Sequence, residues 1–162
     1  MNLHELIKLI EQWAIDRGLD RSGTDYGQMR KTLEEIAELS MAILKGDLPG
    51  IIDGVGDVFI SLVIGNMYSL PKNRVDVADV VDEVREEEVL DDYNRGYQAK
   101  SVSSLFYSGF RLQNDSLMYI DYFRKDSIYY ILHDLLVVCA VWDLELEDCI
   151  ESVCKKISKF EE

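Results

Sequence analysis

Apolar residues at Leu6, Ile7, Leu9, Ile10, Trp13 and Ala14 recur at the interval of one helix face, and Arg17-Gly18 supplies a C-terminal stop. This predicts a first helix starting at Leu3. After the polar stretch Arg21 to Asp25, residues Met29, Leu33, Ile36, Ala37, Leu39, Ser40, Ile43 and Leu44 mark a second helix ending at Lys45-Gly46. Pro49-Gly50 opens a third, from about Ile51 to Leu70, where Val55, Val58, Phe59, Leu62, Val63 and Met67 leave almost no polar side. Such a helix belongs in a core. Its apolar circumference exceeds what one short helix pair can cover, which predicts an oligomer. Gly54, Gly56 and Gly65 each weaken it by roughly 1 kcal/mol against alanine, so close helix approach near the neighbouring acids is the expected compensation.

Pro71-Lys72-Asn73 ends the third helix. From Val75 to Asp92 a thin stripe of Val77, Val80, Val81, Val84, Val89 and Leu90 runs through dense acid, the pattern of a peripheral, solvated helix. Further helical segments are expected over 98–113, over 127–142, and from about Leu144 to Lys159. No alternating strand pattern is present, nor the glycine-rich fingerprint of a Rossmann or P-loop site. These patterns predict one all-α domain over residues 1–162.

Charge and cysteine usage narrow the partners. The net charge of −14, from 31 acidic against 17 basic residues, argues against direct nucleic-acid binding, which relies on Lys and Arg to neutralise phosphates. Cys139, Cys149 and Cys154 form no CxxC pair and are expected as separate, reduced core thiols in a cytoplasmic protein. The N-terminus lacks the pattern of a secretion signal. No apolar run is expected to reach the roughly 20 residues of a membrane span, so no membrane partner is predicted.

The chemistry lies in two acidic clusters, Glu34-Glu35-Ile36-Ala37-Glu38 and Asp53-Gly54-Val55-Gly56-Asp57. Residues three or four apart share a helix face, so Glu35 with Glu38, and Asp53 with Asp57, each present paired carboxylates. If the second and third helices run antiparallel, these stripes meet. Converging carboxylates repel unless cations neutralise them, and their hard oxygens suit Mg²⁺ or Mn²⁺. The Glu triplet alone would more often be a solvated face, since exposed like charges cost only tenths of a kcal/mol. Asp53 and Asp57, set among Ile51, Ile52, Val55, Val58 and Phe59, would be costly to bury unpaired. Trp13 is more often core packing than a stacking platform, and His4 and His133 read as ordinary helix residues.

The segment Lys31-Thr32-Leu33-Glu34-Glu35-Ile36-Ala37-Glu38-Leu39, followed by Asp53-Gly54-Val55-Gly56-Asp57-Val58, resembles the E-E-x-x-E … E-x-x-D pattern of MazG-like, all-α nucleoside triphosphate pyrophosphohydrolases. The stretches from Glu11 to Leu19 and from Trp142 to Glu151 are similar to parts of the short MazG-like proteins of phages and bacteria. The resemblance covers residues 1 to about 70 well and 127–155 loosely, which makes about 71–126 an acidic helical insertion in a MazG-like bundle. It implies an Mg²⁺-dependent enzyme, with Mn²⁺ as a possible substitute, that splits a (deoxy)nucleoside triphosphate between the α and β phosphates. The products would be the monophosphate and pyrophosphate. It also implies a homodimer or homotetramer.

Carried over by residue, Glu35, Glu38 and Asp57 match metal ligands of the family. Gly54 stands where the family has glutamate, and Asp53, one position earlier, is the substitute ligand. Glu34, Glu35 and Glu38 are the catalytic candidates, with Glu34 placed to activate water or hold a second metal. Lys31 is expected to pair either with a phosphate or with the acids. Trp13 and Lys155 are the remaining substrate-contacting candidates. The run Cys154-Lys155-Lys156-Ile157-Ser158-Lys159-Phe160 replaces a Tyr-Asn-x-Ile-Lys-x-Arg-like stretch of the family. That change and Gly54 motivate a second expectation, a catalytically weak nucleotide-binding sensor of the same fold. The acid excess motivates a third, an acidic interaction protein that mimics DNA.

Overall fold

The computed structural model describes residues 1–87, 102–109, 112 and 122–159, and among them every regular element is a helix, as the periodicity predicts. Helix α1 (Leu3–Asp16) opens on a capping box: Glu5 N–H donates to Asn2 Oδ1 and Asn2 N–H donates to Glu5 Oε2, both at 2.9 Å. Gly18, at φ 71°, turns the chain into α2 (Leu19–Ser22). The sequence reading missed α2, because a one-turn helix has no periodicity to detect. The Tyr68 hydroxyl donates to the Leu19 carbonyl and pins α2 to the end of α4.

Thr24 caps α3 (Asp25–Lys45), which begins a turn before the first apolar marker, Met29. Gly46, at φ 65°, closes α3, and Asp47 caps α4 (Leu48–Tyr68) by accepting from Gly50 N–H at 3.2 Å. With two residues between them, α3 and α4 form an antiparallel hairpin. The remaining helices are α5 (Val77–Glu86), α6 (Lys125–Val141) and α7 (Leu146–Lys159), and the backbone is also helical over 102–109. The other residues of the expected 98–113 segment, and Val89 and Leu90, lie outside the described residues.

Helix α4 is the centre of the fold, packed most extensively on α3 and α7 and also on α1, α2 and α6. Its apolar circumference is therefore covered within one chain, which removes the reason given above for expecting an oligomer. A second correction concerns length. At 21 residues and mean hydropathy 1.7, α4 is long and apolar enough to cross a membrane, but 67% of its apolar window is buried, as in a core helix. Gly54 and Gly56 allow the close approach: a Cβ on Gly54 would stand 2.9–3.1 Å from Leu39 of α3, and one on Gly56 would stand 2.7 Å from the Cys149 carbonyl oxygen of α7. Gly65 instead makes room for the Phe123 ring, away from the acids.

Helix α5 buries Val77, Ala78, Val80, Val81 and Val84 against its neighbours and exposes Asp82, Glu83 and Glu86, so it is amphipathic and integral to the core. Arg85 binds Glu147 of α7 through paired hydrogen bonds of 2.8 and 3.0 Å. Buried Asp134 of α6 accepts from Ser104 at 2.6 Å and Ser108 at 2.7 Å, holding the 102–109 helix in place. The cysteines depart from expectation. All are buried, but the corner between α6 and α7 brings the Cys139 and Cys149 thiols into contact, and that hydrogen bond together with burial pushes the Cys139 thiol up.

Candidate functional site

The α3–α4 hairpin fixes which acids meet. Gln28 Nε2 donates to the Ser61 carbonyl at 2.9 Å, Leu39 packs on Gly54, and Ala42 packs on Gly50. In that register Glu35 lies across from Asp57, and Glu38 across from Gly54 and Asp53. The facing stripes expected from the sequence are therefore present.

Glu35 is the least ordinary member. It is only 7% exposed, its Oε1 accepts an ion pair from Lys31 Nζ at 2.8 Å, and its buried Oε2 has no partner. A buried carboxylate oxygen without a donor is expensive, on the order of a few kcal/mol, unless something supplies positive charge. The hydrogen bond to Glu35 raises the Lys31 pKa above the ordinary lysine value. Half-buried Asp57 is pushed up to about 6, first by burial and then by the charges of Glu35, Asp53 and Glu38, with Lys31 opposing. Exposed Glu38 is also raised, chiefly by the Glu35 charge, then by lost hydration and by Glu34. The four carboxylates thus lie within one another's field.

Glu38, Asp53 and Asp57 line an open groove of about 510 Å³, together with Ala37, Met41, Ala42, Lys45, Asp47, Gly50 and Gly54. This is within the size range of small-molecule sites. Among the described residues, no three His, Cys, Asp or Glu side chains converge closely enough to hold a metal ion as they stand. Two lysines are paired with acids of the cluster. Lys31 holds Glu35, and Lys156 Nζ of α7 holds Asp53 Oδ1 at 2.5 Å. The donor set nevertheless fits a hard divalent cation, because it is all carboxylate oxygen, one of them buried and unsatisfied.

The remaining candidates separate. Glu34 is exposed, 3.8 Å from Lys31, on a neighbouring groove that it shares with Gly27, Arg30 and Lys31. Lys31 is paired with the acids, one of the two roles expected for it. The structure does not place Lys155 on the groove lining: its side chain is 70% exposed and stands 3.9 Å from Glu151 of its own helix. Lys156, one residue on, is rotated by about 100° and reaches Asp53 instead. Trp13 is not placed on the groove lining either. It lines a separate apolar pocket of about 130 Å³ with Leu9, Ile10, Ile60, Cys154 and Ile157, with Arg17 over its ring at 5.0 Å. That pocket shares no residue with the acid groove, since the Trp13 face of α1 is turned towards α7.

Lys156, paired with an acid of the groove, is the residue that sequence reasoning did not single out. Packing sets its place: Cys149 and Val153, seven and three residues earlier, share its helix face and are the residues pressed on Gly56.

No protein-family model and no solved structure matches the chain. A curated relative is the uncharacterized 18.2 kDa protein of the rep-hol intergenic region of Haemophilus phage HP1, 43% identical over 63 residues. That match spans 39% of this chain and 39% of the phage protein.

Proposed function

We propose that the protein is a MazG-like, divalent-cation-dependent pyrophosphohydrolase acting on a nucleoside or deoxynucleoside triphosphate. The observation that carries this reading is Glu35, buried with an unsatisfied oxygen and facing an Asp57 whose pKa is lifted to about 6 by burial and then by crowded like charge. A fold does not retain so costly an arrangement for stability, since apolar side chains in its place would pack more favourably. Perturbed carboxylates beside an open groove are the mark of a functional site.

Glu35, Glu38, Asp53 and Asp57 would hold Mg²⁺, or Mn²⁺ in its place. When bound, the ion supplies neutralisation of phosphate charge and acidification of water. The chain's own groups supply the rest. A carboxylate not engaged by the ion accepts the proton of the attacking water, the candidates being Glu38, with its raised pKa, when it is left free, and Glu34 on the neighbouring groove. Water oxygen bonds to the α-phosphorus while the bond from that phosphorus to the α,β-bridging oxygen breaks, releasing pyrophosphate and the monophosphate. A lysine ammonium at the groove meets the charge that grows on the leaving group.

The test is a screen of the common ribo- and deoxynucleoside triphosphates with Mg²⁺ and Mn²⁺, measuring pyrophosphate against orthophosphate. Wild type should release pyrophosphate, and Glu38→Gln should lose at least roughly 100-fold of that rate without losing its fold. Orthophosphate alone would mean that a different bond is cut. Gly54, in place of the family glutamate, favours a second reading as a nucleotide sensor. Metal-dependent nucleotide binding with no product over hours would select it.

A further inference from the structure

A lysine from outside the α3–α4 hairpin reaches an acid of the groove. Lys156 Nζ and Asp53 Oδ1 are 2.5 Å apart, a contact between residues 103 positions apart in the chain. Its placement is set by packing. The α7 face that carries Cys149, Val153 and Lys156 is pressed so closely on α4 that a single methyl on Gly56 would collide with it. Asp53 lines the groove beside Glu38 and Asp57, and Glu35, nine-tenths buried, has an unpartnered oxygen towards the same carboxylates.

The two lysine pairs differ in how easily they open. Lys31, itself 54% exposed, binds a carboxylate that is only 9% exposed, so water has little room to take the lysine's place on Glu35. The side chains of Lys156 and Asp53 are 56% and 40% exposed, so water can replace each partner at little cost. A lysine carries its charge on a flexible four-carbon stem, and the ammonium can swing several ångströms while α7 stays in place.

We infer that Lys156 is a displaceable internal counter-cation that couples metal binding to phosphate binding. It neutralises Asp53 while the groove is empty. When a divalent cation takes the Asp53 carboxylate, the freed ammonium becomes a phosphate contact at the groove rim. The inference rests on the reading of the groove as a metal-dependent nucleotide site. By linkage the coupling is reciprocal: nucleotide that draws Lys156 away from Asp53 must tighten metal binding by the same factor that metal tightens nucleotide.

The experiment measures binding, with no turnover involved. Free Mn²⁺ is followed by electron paramagnetic resonance, with and without the α,β-methylene analogues of the four common deoxynucleoside triphosphates, for wild type, Lys156→Met, Lys156→Arg and Lys155→Met. Removing a competitor held by an exposed ion pair should tighten Mn²⁺ binding to Lys156→Met by about two- to five-fold in the absence of nucleotide. The same variant should bind the analogue roughly ten-fold more weakly and lose most of the mutual tightening. Lys156→Arg, checked for fold by circular dichroism, keeps the charge and should retain the coupling, and Lys155→Met should match wild type. Equal Mn²⁺ affinity in wild type and Lys156→Met would overturn the inference while leaving the metal site standing. Tighter Mn²⁺ binding with unchanged analogue affinity would overturn the coupling. Wild type that takes up no Mn²⁺ at millimolar concentration would overturn the metal-site reading itself, and this inference with it.

Discussion

Substituting Asp57 by Asn asks whether the burial and crowding of this carboxylate are a measurable load on the fold. The aspartate pKa is displaced from 3.8 to about 6. At 1.36 kcal/mol per unit, a displacement of roughly two units has a ceiling near 3 kcal/mol, and partial exposure of the side chain reduces it to about 1–2 kcal/mol. The direction follows from proton counting. Between the unfolded and folded values the folded chain holds a proton that the unfolded chain has released, so acid favours folding in that window. This contribution is complete below pH about 4 and is lost as pH rises through about 6.

Asn cannot ionise and does not lose it. In EDTA, urea unfolding should therefore give equal stability for wild type and Asp57→Asn near pH 4, and an advantage of about 1–2 kcal/mol for the variant near pH 7.5. Added Mg²⁺ should stabilise wild type near pH 7.5 and leave the variant almost unchanged, since binding to the folded state alone raises stability by mass action. A variant less stable than wild type near pH 7.5 in EDTA, or a difference independent of pH, would show that the carboxylates do not oppose one another as described.

Two further substitutions test the packing that sets the groove. Gly56→Ala drives a Cβ against the Cys149 carbonyl and Val153; the collision should cost about 1–3 kcal/mol, partly offset by alanine's better helix propensity, and urea midpoints read the net loss. Arg85→Ala removes the paired hydrogen bonds to Glu147 and should cost about 1 kcal/mol near neutral pH. Because Arg85 lowers the Glu147 pKa, that contribution is present above the ordinary glutamate value and is lost as pH falls through the lowered one. The two proteins should therefore converge in stability towards pH 3, and a constant gap down to that pH would count against the pairing.

The hairpin was legible because its signals are local. Apolar spacing from Met29 to Leu44, the Lys45-Gly46 stop and Pro49 define α3 and α4, and a short connection leaves them little choice but to run antiparallel. Once they do, Glu35 and Asp57 must face one another. What lay beyond reach depends on contacts distant in sequence. Which lysine of the run 155–159 reaches Asp53 is decided by how α7 rolls on Gly56, and a roll of one residue exchanges Lys155 for Lys156. Trp13 carries the same side chain whether α1 turns it to the acids or to Ile157, so only packing could tell its pocket from theirs. The approach of Cys139 to Cys149 likewise depends on the corner at 142–145, where Asp143 adopts φ 55°. The coverage of α4 is a related case: helices much earlier and later in the chain supply it, and they cannot be counted from α4 itself.

The link of Gly46 and Asp47 works as a phase lock. Adding or deleting one residue there would spin α4 by about 100° and slide it by about 1.5 Å, sending Asp57 out of Glu35's reach while every hydrophobic run stayed intact on paper. Length changes at this corner can therefore be absorbed only in steps of about three or four residues, which restore the angle. The interval between Glu38 and Asp53 is in that sense part of the site, as much as the acids at its two ends.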